Sequence, residues 1–235
     1  MNFHALNTYA NAFSELFFPR VCRGCGEHLS EHEAEVCGSC LRSLPRTGFE
    51  SVDDNLVSQM FWGRVKIEKA ASLYYYRKGE LLQKLLHKLK YRGIYQIGEV
   101  FGIQIGTFLL RAGFTTGIDM IIPVPLHKIK HRERGYNQSE HIAEGISEIV
   151  NIPVVAGNLV RTVHSASQTR KSRFERWENV SSIFAVRNPG MLKGKHILLI
   201  DDVVTTGATL EACARTLMKV KDVKVSIATI GYADI

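Results

Sequence analysis

No apolar run in the 235-residue sequence approaches the roughly 18 residues needed to span a bilayer. The opening stretch MNFHALNTYANAFSELFF lacks the pattern of a secretory signal, a basic n-region followed by an apolar core and a small-residue cleavage site. A cytoplasmic protein without membrane insertion is therefore expected. Cysteine is scarce: there are five, and four of them cluster near the amino terminus. In a reducing compartment such a cluster suits metal ligation rather than disulfides. Acid is in deficit, with 23 Asp and Glu against 30 Lys and Arg, a formal net charge of +7. That balance fits phosphate-rich ligands, nucleic acid or an acidic surface, and equally a basic solubilising surface. Internal repeats and low-complexity tracts are absent.

What is present is enough apolar material, 45% of residues, to bury a sizeable core. Within CGSCLRSLPRTGFESVDD the cysteine-rich segment gives way to a linker, and the chain divides into a four-cysteine module, residues 1–48, and a larger domain, residues 49–235. In the larger domain ASLYYY reads as a strand, and ELLQKLLHKLK as a helix with Leu81, Leu82, Leu85, Leu86 and Leu89 on one face. IGEVFGIQIGTFLLRAG is a second helix, ended by Gly113. DMIIPVPL, SSIFAV, HILLID and VKVSIATI read as strands, and SEHIAEGISEIV as an amphipathic helix. Strands alternating with helices predict an α/β fold with a largely parallel twisted sheet flanked by helices. In such sheets ligands bind beyond the carboxyl ends of the strands.

One strand end stands out. HILLIDDVVTTGATLEACA, residues 196–214, runs from apolar residues into two adjacent carboxylates, Asp201 and Asp202, and then into a turn that opens a helix. Buried acids cost several kcal/mol unless they are paired or coordinate something. The helix N-terminus offers free N–H groups to an anion. Gly207 permits close backbone approach, and the hydroxyls of Thr205, Thr206 and Thr209 are donors to phosphate oxygens. Carboxylates do the complementary work, accepting from sugar hydroxyls or holding a hydrated cation. A phosphate at one end and a diol at the other describe a ribose 5-phosphate. A Walker loop is excluded by the absence of its lysine. A receiver domain needs far more chain downstream than the 34 residues that follow Asp201.

Two basic segments accompany the acids. PVPLHKIKHRERGYNQ follows a strand end, and RTVHSASQTRKSRFERWENV is long, polar and basic between two apolar elements, as lids and binding loops are. In RKGELLQKLLHKLKYRG the cations read mainly as the solvated side of an amphipathic helix, with Lys90, Tyr91 and Arg92 candidates to line the site or touch nucleic acid.

The cysteines Cys22, Cys25, Cys37 and Cys40 stand as C-x₂-C, eleven residues, C-x₂-C. Two sulfurs from each of two tight turns complete a tetrahedral Zn²⁺ site. His28 and His32 are alternative ligands, a redox dithiol is the rival reading, and Arg20, Arg23 and Arg42 are candidates to offset thiolate charge. A metal would supply much of the folding energy of so small a segment. Cys213 reads as a core residue.

ILLIDDVVTTGATL resembles the phosphoribosyl pyrophosphate (PRPP) signature of type I phosphoribosyltransferases. LKYRG (89–93), PVPLH (123–127), RGYNQ (134–138), SQ (167–168), RWENV (176–180) and the four-cysteine module, in that order, resemble the ComF family over nearly the whole chain. The resemblance implies a type I phosphoribosyltransferase-like domain behind a zinc-ribbon-like module. It implies that Asp201 and Asp202 are the catalytic, ribose-binding pair, and that Thr205, Thr206, Gly207, Ala208 and Thr209 cradle the 5-phosphate. Lys128, Arg132 and Arg134 are then expected on pyrophosphate, and Gln168, Arg170 and Arg176 on a flexible loop that closes over PRPP, with Asn179 at its base. The implied activity is Mg²⁺-dependent transfer of a phosphoribosyl group to an unidentified acceptor, linked to DNA uptake. The alternative is a non-catalytic module that binds single-stranded DNA and DNA-uptake proteins, with PRPP as a regulatory ligand or none.

Overall fold

The computed structural model describes residues 19–49, 53–162 and 183–233. The chain divides into two units, Met1–Leu44 and Pro45–Ile235. In the first, a single antiparallel bridge between Val21 and His28 closes the loop that carries Cys22 and Cys25. Gly26 reverses that loop at φ +82°, its N–H donating to the Cys22 carbonyl at 3.0 Å. The second cysteine pair opens a short helix, α1 (Gly38–Ser43), with Cys37 as its N-cap.

The second unit runs α2 (Leu56–Gln59), β1 (Ala70–Tyr76), α3 (Leu81–Tyr91), α4 (Gln96–Arg111), β2 (Met120–Pro123), α5 (Lys128–Arg134) and α6 (Gln138–Val150). It continues through β3 (Leu159–Arg161), β4 (Phe184–Val186), α7 (Pro189–Leu192), β5 (His196–Val204), α8 (Ala208–Leu217) and β6 (Lys224–Ala233). Four strands form a parallel sheet in the order β1-β6-β5-β2. Val154 extends it past β2 through a parallel bridge to Ile121. The central strands are apolar without alternation because helices cover both faces: Ile197, Leu198, Leu199 and Ile200 are all fully buried. SSIFAV does contain a strand, but β4 pairs antiparallel with β3 in a separate two-stranded ribbon.

Helix α3 buries Leu82, Leu85, Leu86 and Leu89. Each such side chain contributes about 1.5–3 kcal/mol on leaving water. The stripe anchors the helix, so that its polar carboxyl-terminal residues project from a fixed support. Helices α4 and α6 approach more closely than ordinary side chains permit. A Cβ on Gly102 would lie 2.8 Å from Gly145 Cα, and one on Gly98 would meet His141 Cβ at 3.0 Å. His141 fills the space thus made, stacked on Tyr95 at 4.6 Å, with its Nδ1 3.3 Å from Glu99 and 3.1 Å from Glu144. No helix among the described residues is long and apolar enough to cross a membrane.

Candidate functional site: an acid pair, a glycine turn and a cationic cavity

Strand β5 continues past the acids to Val204, so Asp201 and Asp202 occupy its last turns of pleat rather than the loop beyond. Successive strand side chains diverge, and the two acids find different partners. Asp201 Oδ1 accepts from Ser139 Oγ at 3.1 Å and from the Asp202 N–H at 2.9 Å. Asp202 is 5% exposed, and its Oδ2 lies 2.8 Å from Lys90 Nζ. Burial, reinforced by the neighbouring charge of Asp202, pushes the Asp201 carboxyl up to about 7 against the opposing pull of the Asp202 amide, Lys90 and Ser139. Burial alone would lower the Lys90 pKa; the charges of Asp202 and Asp201 outweigh it, and the net direction is upward. The free protein thus holds one firm ion pair, with a second carboxyl beside it whose charge varies near neutral pH.

After the strand, Thr205 and Thr206 are exposed and Gly207 is buried at φ +72°. A Cβ on Gly207 would meet Phe61 Cε1 at 3.3 Å, so the turn rests directly on an aromatic ring. Helix α8 begins at Ala208 with glycine as its N-cap, the Ala208 N–H reaching only a long 3.5 Å contact to Thr206 Oγ1, and Ala208 and Thr209 are exposed. Its amino-terminal N–H groups are consequently available to an anion. Arg64, which has no counterpart among the residues picked from sequence, buttresses this turn. Its Nη1 donates to the Thr206 carbonyl at 3.0 Å and its Nε to Glu211 at 2.8 Å. The contact joins residues 142 apart in the chain, and no local pattern signals it.

A cavity of about 280 Å³ is lined by Lys90, the partner of Asp202, and by Tyr91, Gly93, Lys130, Glu133 and Arg134. Segment 128–134, part of the basic segment that follows β2, is helical. Helix spacing then divides its cations: Lys130 and Arg134, four apart, line the cavity, while Lys128 and Arg132 are exposed and absent from its lining. Tyr91 holds Arg134 by a cation–π contact, 5.6 Å from Cζ to the ring centroid, and its ring lies 4.8 Å from that of His87. The RGYNQ residues make the joint between α5 and α6. Gly135 ends α5 at φ +83°, the Tyr136 hydroxyl donates to the Leu89 carbonyl, and Asn137 caps α6 while donating to the Val124 carbonyl at 3.1 Å. That joint delivers Ser139 to Asp201. Ser139, Lys130 and Arg64 are thus the site neighbours that sequence inspection passed over. Gln168, Arg170, Arg176 and Asn179 lie outside the described residues.

In the first unit the four cysteine sulfurs gather, with Cys22 Sγ 3.8 Å from Cys40 Sγ and Cys25 Sγ 3.7 Å from Cys37 Sγ. Four sulfurs at about 2.3 Å from a zinc ion stand about 3.75 Å apart, so the cluster fits a tetrahedral zinc site. Backbone N–H groups of Cys37 and Gly24 donate to Cys22 Sγ at 3.2 and 3.3 Å. Burial raises the Cys22 pKa, but these backbone donors prevail and bring it down to about 6, while burial and the neighbouring thiols push Cys40 upward. His28 and His32 are exposed and stand outside the cluster. Arg23 is paired with Glu35 at 2.7 Å, and Arg20 donates to the Glu33 carbonyl. Cys213 is fully buried in the core of the second unit.

Residues 116–233, which contain the acid pair and its turn, match the family described as phosphoribosyl transferase domain. The chain is 32% identical over 141 residues to DNA utilization protein YhgH of Shigella flexneri; the match covers 59% of this chain and 61% of that relative's length. It is 26% identical over 206 residues to Competence protein F of Haemophilus influenzae, covering 86% of this chain and 80% of the relative. It is 27% identical over 204 residues to Competence protein ComFC of Bacillus subtilis, covering 85% and 78%.

Proposed function

The chain belongs to the phosphoribosyl transferase domain family, and from that premise we propose that it binds PRPP at the end of β5 and transfers the phosphoribosyl group to an acceptor, releasing pyrophosphate. The single observation that carries this reading is the adjacency of a buried acid pair to a glycine-capped helix start at the end of a central parallel strand. Asp201 and Asp202 accept hydrogen bonds from the ribose hydroxyls. Thr205, Thr206, Gly207, Ala208 and Thr209 surround the 5-phosphate with N–H and O–H donors. Arg134, held by Tyr91, takes the pyrophosphate side, and Lys128 and Arg132 add positive potential from α5. Gln168, Arg170 and Arg176 are assigned contacts to PRPP on the family resemblance alone. Carboxylate oxygens of the kind the acid pair offers suit a hard cation, and Mg²⁺ bound with PRPP would supply neutralisation of the pyrophosphate charge. The zinc module is structural in this reading, the protein acts in the cytoplasm, and the process served is DNA uptake or utilisation, as the relatives' names suggest.

The test is to incubate the pure protein with Mg²⁺, PRPP and candidate bases or DNA, and to follow pyrophosphate release. Asp201→Asn with Asp202→Asn is expected to weaken PRPP binding by about 100-fold, roughly 3 kcal/mol, because two charge-assisted acceptors are lost. Unchanged affinity by calorimetry rejects the assignment.

A second reading is favoured by the relatives' names together with the charge of +7. In it the protein is a non-catalytic module for single-stranded DNA and DNA-uptake partners, with PRPP as regulator. It requires DNA affinity that falls steeply with added salt. Failure to bind single strands at low salt excludes it.

A further inference from the structure

We infer that Lys90 is the specificity residue of this site, joining the sugar-binding carboxylates to the pyrophosphate and so selecting a sugar that carries an anionic group at C1 over one that does not. The inference rests on the PRPP reading of the acid pair and names a residue which that reading leaves without a role.

Its position carries the argument. Lys90 Nζ lies 2.8 Å from Asp202 Oδ2, with the two side chains 26% and 7% exposed. The same lysine lines the 280 Å³ cavity with Lys130 and Arg134. Among the described residues it alone both contacts the acid pair and lines that cavity. An ammonium carries three donors, and one carboxylate oxygen at 2.8 Å engages one of them, which leaves capacity for a second anion. Such a bridge is needed on physical grounds. A pyrophosphate bonded to the sugar carbon next to the diol must approach two carboxylates, and in a poorly solvated pocket like charges repel strongly unless a cation stands between them.

The backbone beneath Lys90 is fixed for the task. Leu89 is fully buried, and its carbonyl accepts from the Tyr136 hydroxyl, while Gly93 at φ +72° turns the chain away just past the helix. Tyr136 precedes Asn137, whose side chain accepts from the Ser139 N–H, and Ser139 donates to Asp201. One connected set of contacts thus places Lys90 on Asp202 and Ser139 on Asp201. Both acids are addressed from the same joint.

The competing explanation is that Lys90 only neutralises Asp202 and never meets a ligand. Ribose 5-phosphate separates the two, because it shares the diol and the 5-phosphate with PRPP but lacks the pyrophosphate. The experiment is calorimetric titration of the full chain with each sugar, in the presence of Mg²⁺, for wild type and Lys90→Met. The expected result is a loss of PRPP affinity of about 30-fold or more, with ribose 5-phosphate affinity held within about threefold. Equal losses for both sugars, or no loss for either, overturn the inference while leaving the PRPP site standing. A wild-type protein that takes up neither sugar overturns the site reading and this inference together. Circular dichroism checks the fold of the variant. If Lys90→Met fails to fold, Lys90→Gln, which keeps a donor without the charge, makes the same comparison under the same criteria.

Discussion

Asp201 shows how much chemistry hangs on one position. Its carboxyl, pushed up to about 7 by burial and by Asp202, ionises near 3.9 in an unfolded chain. The folded state therefore keeps a proton that the unfolded state releases. The associated stability is complete below about pH 4 and is lost as pH rises through about 7. Asp201→Asn is expected to flatten this part of the pH dependence: thermal unfolding of wild type and variant at pH 5 and pH 8 should show the wild type losing more stability between them. Equal losses in wild type and variant would mean that Asp201 is ionised throughout this range. Gly207 is the second decisive residue. At φ +72°, with a Cβ position 3.3 Å from Phe61, it has room neither for strain nor for bulk. Gly207→Ala should cost about 1–3 kcal/mol by thermal denaturation and weaken PRPP binding, whereas exposed Thr209→Ala should leave stability within about 0.5 kcal/mol.

At the scale of elements, the site depends on helices whose spacing glycine sets. Gly102 and Gly145 bring α4 and α6 together, and α6 carries Ser139 to Asp201. Gly102→Val would force its side chain into α6 backbone, and a loss of at least about 3 kcal/mol is expected from denaturant titration. A measured loss below about 1 kcal/mol would show that the pair can separate freely. Element identity was largely legible beforehand. The leucine repeat of 81–89, the helix ended by Gly113 and the helix after Gly207 all appear where periodicity and punctuation place them. The pairing of SSIFAV was not legible, because apolar periodicity reports burial and says nothing of strand direction or partner.

Across the whole molecule, two units rest on different physics. Pro45–Ile235 has a core built from four parallel strands and their helices, whereas the described residues of the first unit, 19–44, gather around four thiols. Zinc bound to four thiolates supplies folding free energy on the order of 10 kcal/mol. On the reading that the cluster holds zinc, a strong chelator, or Cys37→Ser, should therefore unfold the first unit. Metal analysis and circular dichroism would record that loss. PRPP affinity, which the proposed site assigns to residues of the second unit, should change by less than about threefold. A collapse of PRPP binding on chelation would contradict this division.

The amino-acid sequence alone determined whatever is local. The spacing of the four cysteines, the alternation of strands and helices, and the acid pair with its glycine turn all follow from backbone propensity acting over a few residues. Only the tertiary structure decided which distant side chains serve that turn. Ser139 reaches Asp201 across 62 residues, and Arg64 reaches Thr206 across 142. Lys90, which the sequence offers only as one of three candidates to line the site or touch nucleic acid, becomes the partner of Asp202. The reason is physical. Spacing along the chain tells which face of an element a residue occupies, but the neighbour that face meets depends on how every other element packs.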